Sequence, residues 1–208
     1  TSQKEALAEY VIHRKNVIEL VEAARKFDEE GKRSPEDTIH DLVFRRFSDS
    51  VETSYFEHNL WLIDDTLSFL PYITSDRTPH GGKRKKGDKV VDLAFFDDSM
   101  ILGDEDRTTL TIVEFKKPGR NDYQFGKEKA DPVEQILTTF EKVTDAGGFV
   151  ATDGTNITFT NPVRRFAFII ADITPTLQKV LKRHDFLNDW NPGIFVKYQL
   201  NVIHSTEV

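Results

Sequence analysis

Val90-Val91-Asp92-Leu93-Ala94-Phe95-Phe96 and Thr111-Ile112-Val113-Glu114-Phe115-Lys116-Lys117 read as two apolar strands, over Lys89 to Phe96 and Leu110 to Lys116. Side chains alternate along a strand, so Glu114 and Lys116 share one face while Val113 and Phe115 point the other way. Ionised groups at the end of a buried strand need a reason, because an unpaired buried charge costs several kcal/mol. The polar stretch between the runs has Gly103 near its middle, and 103 is the midpoint of 92 and 114. A hairpin turning there sets Asp92 opposite Glu114, at the ~5 Å spacing of cross-strand pairs. Two carboxylates that close repel unless a cation lies between them. Hard oxygen ligands suit Mg²⁺ or Mn²⁺.

The Glu-x-Lys triplet alone carries little. With 35 acidic residues and 16 Lys in 208 residues, about three acid-x-Lys triplets arise by chance at ordinary composition. Glu30-Gly31-Lys32 is another, in a polar loop. Strand context separates the two.

Outward from the pair, a helix is expected over residues 3–28, with Leu7, Tyr10, Val11, Val17, Ile18, Val21 and Ala24 at helical spacing. Ser34-Pro35 opens a second helix, running to about Arg45, whose inner face carries Glu36, Ile39, His40, Val43 and Phe47. Residues 59–63 read as a strand. Asp131-Pro132 starts a helix that Gly147-Gly148 ends; Arg165 to Ala171 is a strand, Thr174 to His184 a helix and Gly193 to Ile203 a last strand. This order predicts an α/β fold with a mixed sheet flanked by helices and an added N-terminal helix. The expected domains are a helical extension over 1–33 and an enzyme-like domain over 34–208.

Composition excludes whole classes. Apolar residues recur throughout, which excludes a disordered chain. No apolar run approaches the ~18 residues of a membrane helix. Zero Cys removes disulfides, thiolate zinc sites and a Cys nucleophile, and points to the cytoplasm. A net charge of −7 argues against a general nucleic-acid coat but not against a nuclease, whose metal site needs carboxylates. There is no phosphate-binding loop, dinucleotide fingerprint, H-E-x-x-H or G-x-S-x-G. The chain starts at Thr1 without an initiator Met, as a piece cut from a longer polypeptide would.

Asp at one strand start, a hairpin, and Glu-x-Lys at the next strand end, with a helix before and after, resembles the PD-(D/E)XK nuclease superfamily. The resemblance covers about Pro35 to Ala171 and implies a restriction-endonuclease-like core. Val91 stands where the family's named Pro would be. By this resemblance Asp92, Glu114 and the Phe115 carbonyl hold Mg²⁺ or Mn²⁺, and Lys116 acts on the attacking water. An acid from the preceding helix is Glu36, with Glu57 as its rival. Gln135 is the accessory Gln of the following helix. Lys117, Arg120 and Tyr123 follow the motif and are candidates for phosphate contact, as are Lys83, Arg84, Lys85 and Lys86 in a glycine-containing loop. His40 and His58 read as structural. Glu36 and Gln135 also have plain readings, as a first-turn acid and a solvated helix position.

Residues 39–44, 57–64 and 113–120 further resemble the C-terminal region of large bacterial proteins that carry a histidine-kinase-like ATPase domain. The implied function is a metal-dependent nuclease cutting nucleic acid, DNA ahead of RNA, within a larger ATP-dependent protein. The other reading is an inactive nuclease-fold module for binding nucleic acid or protein. Implied partners are nucleic acid, the rest of that polypeptide and a second copy of the chain as a homodimer, with no membrane.

Overall fold

In the computed structural model the described residues are 2–26, 30–31, 36–77, 91–98, 108–158, 164–188, 191 and 193–197. Gly103 and the Lys83–Lys86 loop lie outside them. The chain is mixed α/β. Its main sheet has four strands in the order β1-β2-β3-β6. They are β1 (Tyr72–Arg77), β2 (Val91–Asp98), β3 (Thr108–Phe115) and β6 (Arg164–Ile170). The described helices are α1 (Ser2–Arg25), α2 (Glu36–Val43), α3 (Pro132–Ala146) and α4 (Pro175–Arg183). None of them is long and apolar enough to cross a membrane.

β2 and β3 pair antiparallel, from Leu93 opposite Val113 to Asp98 opposite Thr108. Every pair has 103 as its midpoint, which is the register the sequence predicts. β3 and β6 are parallel, and parallel neighbours need a crossover. Here α3 supplies it. Both faces of the sheet are covered, which is why β2 and β3 read as continuous apolar runs. Leu93, Phe95, Val113 and Phe115 face one side, packing with Ile39, Val43 and Phe44 around α2. Ala94, Phe96, Leu110 and Ile112 face the other, packing with Ile136, Phe140 and Val143 of α3.

The ends of α3 follow its sequence. The Asp131 carboxylate caps it, accepting N–H bonds from Val133 and Glu134, and Pro132 begins it. Gly147 ends it at φ 73°, the left-handed conformation that glycine adopts without strain. Gly148 then starts a two-stranded ribbon of β4 (Gly148–Val150) and β5 (Asn156–Thr158). A Cβ there would lie 1.9 Å from the Ile157 carbonyl oxygen, so the close strand approach requires glycine.

Two expectations fail, and one strand, β1, was not anticipated. Residues 59–63 form no strand; Leu60–Leu62 is a 3₁₀ turn, between others at Tyr55–Glu57 and Asp65–Phe69. The cause is capping. The Asn59 N–H bonds the Val43 carbonyl at 2.7 Å and its side-chain amide bonds the Leu42 carbonyl at 2.9 Å. Asn59 thus closes α2 and leaves no free ladder. α2 stops at Val43, and Phe44, not Phe47, enters the core; Phe47 is exposed at φ 62°. β1 has only Tyr72 and Ile73 as apolar residues, and its buried Thr74 and Ser75 hide it from hydropathy. The expected last strand, Gly193 to Ile203, lies outside the described residues beyond 197; within them Val196 forms a bridge with Leu187.

Asp49 ties this end of the sheet together. It is fully buried, and its carboxylate accepts the Thr152 N–H at 2.6 Å, the Thr152 hydroxyl at 2.8 Å and the Val51 N–H at 3.0 Å. Asp49→Ala orphans these donors and is expected to destabilise the fold by about 3 kcal/mol or more, at about 1–3 kcal/mol for each group left unsatisfied. The denaturation midpoint measures it, and an unchanged midpoint refutes the linking role.

Candidate metal centre

β3 ends at Phe115, but the sheet alignment continues one residue further. The Lys116 N–H bonds the Ile170 carbonyl of β6 at 3.0 Å. Lys116 therefore stays in register and emerges on the same face as Glu114, the face covered by α3. Its side chain is buried and forms an ion pair with the Glu114 carboxylate.

Asp92, the second residue of β2, lies across from them. Its carboxylate accepts the Phe115 N–H at 2.8 Å. That bond crosses the strand pair and holds Asp92 beside Glu114. Burial first, and then the Glu114 charge, push the Asp92 carboxyl up to about 8. The bond from Phe115 and the Lys116 ammonium oppose the shift without cancelling it.

Glu36 arrives from the other side of the sheet. It is the first residue of α2, and its carboxylate reaches past the strand end to accept the Lys117 N–H at 2.9 Å. Burial raises its pKa; the Lys116 charge pulls it down and the Glu114 charge pushes it up. Glu36, Asp92, Glu114 and Lys116 thus share one electrostatic neighbourhood. Glu57, the rival acid, is exposed and spends its carboxylate on the Ser54 N–H and hydroxyl.

His40 supports the group from below. Its buried ring stacks on Phe115, centroids 4.8 Å apart at 20°, and Nε2 lies 2.9 Å from the Ser75 hydroxyl. Burial drives its pKa down to about 4, so it is neutral at physiological pH. This agrees with its structural reading.

The candidate phosphate contacts diverge. Lys117 is exposed. Arg120 is engaged by Asp122 at 2.6 Å and by the Lys129 carbonyl at 3.1 Å, with its guanidinium over the Tyr123 ring. Tyr123 is buried with Val133, Leu177 and Leu181, and burial pushes its hydroxyl up to about 12. Its ring fills a small core under α4, so it is not a surface contact. Lys83, Arg84, Lys85 and Lys86 lie outside the described residues. Gln135 sits in the first turn of α3 with its side-chain oxygen buried and without a hydrogen-bond partner. That is unlike a solvated helix position, and such a group is costly unless a partner completes it.

Two features were not legible in the sequence. Asp172 accepts the Gly119 N–H at 2.7 Å and the Arg25 guanidinium at 2.8 Å, tying the turn after Lys117 to α1. An acid just after a strand is the only signal for it. Asp131, Glu134 and His184 also approach one another closely enough for a metal. The Asp131 carboxylate, however, is committed to the Gly126, Val133 and Glu134 N–H groups and lies 2.8 Å from His184 Nε2. It serves as a helix cap.

No family model, curated protein or solved structure matches the chain.

Proposed function

We propose that this chain is a metal-dependent nuclease that hydrolyses phosphodiester bonds of nucleic acid, DNA ahead of RNA. The observation that carries the reading is the electrostatic neighbourhood that Asp92 and Glu114, on adjacent strands, share with Glu36 at the start of α2 and with a buried lysine, Lys116. Three acids around one buried cation leave excess negative charge in a desolvated place, and the raised Asp92 and Glu36 record the cost. The donor set is of hard oxygens only, which fits Mg²⁺ or Mn²⁺. Asp92, Glu114 and Glu36 would hold the ion, with the main-chain carbonyl of Phe115. Held there, it would supply a bound water of lowered pKa and offset phosphate charge.

The chain's own groups have separate tasks. Lys116 orients the attacking water and stabilises negative charge developing on the phosphate. The Phe115 N–H and the stacked His40 hold Asp92 and the strand end in place. Lys117 offers an exposed cation to the backbone of the nucleic acid. Gln135 has an unmet acceptor to complete. The mixed sheet, with α2 on one face and α3 on the other, supports a restriction-endonuclease-like core, and the resemblance of residues 39–44, 57–64 and 113–120 supports a place within a larger ATP-dependent protein.

The test is cleavage of single- and double-stranded DNA and RNA by the purified chain, with Mg²⁺, Mn²⁺ or a chelator. Cleavage of DNA that the chelator abolishes is expected. A protein inert on all four substrates with either metal would favour the binding module instead.

A further inference from the structure

A second surface, separate from the metal centre, carries its own chemistry. The 3₁₀ turns Tyr55–Glu57 and Asp65–Phe69 press three aromatic rings together in solvent. Tyr55 contacts Phe56 edge-on at 5.4 Å and stacks on Phe69 at 5.6 Å. Phe56 is 88% exposed and Phe69 73%. Single exposed aromatics are ordinary, but three joined through contacts with Tyr55 form a patch of the kind found at binding sites.

The neighbouring charges identify the occupant. The Glu57 carboxylate is fixed by the Ser54 N–H at 2.9 Å and hydroxyl at 2.8 Å. The Asp64 carboxylate is fixed by the Thr66 N–H at 2.8 Å and hydroxyl at 2.7 Å. These bonds hold both carboxyls below their ordinary range, and neither forms an ion pair among the described residues. Fixed anions beside bare rings repel a phosphate backbone and attract a cation. The chain already uses this recognition next door. The Arg14 guanidinium lies 4.4 Å from the Trp61 ring centroid while bonding Asp65, the first residue of the turn that ends in Phe69, at 2.5 Å.

We propose that the Tyr55–Phe56–Phe69 face docks a basic segment of a partner protein, whose Arg or Lys side chains lie over the rings beside Glu57 and Asp64. The proposal uses none of the residues of the metal centre and stands whether or not the chain cleaves nucleic acid.

Fluorescence anisotropy tests it with three labelled probes on the whole chain: an Arg/Leu peptide, an Asp/Leu peptide and a single-stranded oligodeoxynucleotide. The wild type should bind the Arg/Leu peptide alone through this face. Phe56→Ala and Phe69→Ala should each weaken that binding about 2–30-fold, the range of one cation–π contact. Glu57→Gln should weaken it less and reduce its salt dependence. All three positions are exposed, and circular dichroism would verify that the fold is kept. Arg/Leu binding equal in wild type and Phe56→Ala would mean attraction to net charge only and would overturn the proposal. So would absent binding, or oligodeoxynucleotide binding that Phe56→Ala removes, which would make the face a base-stacking platform.

Discussion

Lys116→Met is expected to lower the cleavage rate about 10²–10⁴-fold, the usual cost of removing one positioned catalytic group, while Mn²⁺ binding survives. Lys116 is only 6% exposed, and Met keeps its aliphatic packing. An ammonium has no acceptor and cannot ligate a cation while charged. In the proposed reaction its role then lies with the water or the phosphate. In the metal-free protein Lys116 occupies Glu114 and lowers the pKa of Glu36 and Asp92. Without it those acids hold their protons more tightly, so Mn²⁺ binding should weaken as the pH is lowered and recover only at a higher pH than in the wild type. Asp92→Asn should instead lose both binding and cleavage, because a hard anionic ligand is gone. Rates and Mn²⁺ affinities of the three proteins, compared at two pH values, decide the matter. A Lys116→Met protein that cuts like wild type rules out the proposed role.

The centre was legible in the sequence to the extent that strand periodicity and register define it. Apolar runs buried on both faces announce β2 and β3, and the midpoint at 103 aligned them correctly. Glu36 was legible from its place on the stripe with Ile39 and Val43, but not against Glu57. That choice depends on the turn after β3 bringing the Lys117 N–H to α2, a long-range bond with no local pattern. Tyr123 misled because an aromatic just after the motif-bearing strand reads alike whether it faces a ligand or a core. β1 was missed for a different reason. Its buried Thr74 and Ser75 are accommodated by contacts such as the one between Ser75 and His40, which join segments 35 residues apart. Residues 59–63 have the composition of a strand, but Asn59 is consumed in closing α2. Local propensity yields to tertiary hydrogen bonding in both places.

Without a divalent cation, the protein is expected to lose stability as the pH rises from about 6.5 to about 8. Asp92 is pushed up to about 8 in the fold, against about 3.9 in an unfolded chain. Between those values the folded protein holds a proton that the unfolded chain has released, so raising the pH favours unfolding, by about 1.4 kcal/mol per pH unit for one retained proton. Below the unfolded value both states are protonated and the stability is fully present; above about 8 both are ionised and the loss is complete. Glu36 is raised as well and acts with the same sign. His40 opposes them at lower pH. Burial brings it down to about 4, so between about 4 and its unfolded value near 6.5 the unfolded chain takes up a proton that the fold refuses, and stability rises with pH. The two trends offset each other below about 6.5, which leaves the loss visible above it. Mn²⁺ should reverse the loss, by about 2.7 kcal/mol at a hundredfold excess over its Kd. Asp92→Asn should flatten the slope and remove the response to Mn²⁺. Urea denaturation of both proteins at pH 6.5, 7.25 and 8, with chelator and with Mn²⁺, measures all of this. A wild-type stability that is flat or rising over that interval in chelator would mean that the carboxylates are not crowded, and the case for a cation between them would fall with it.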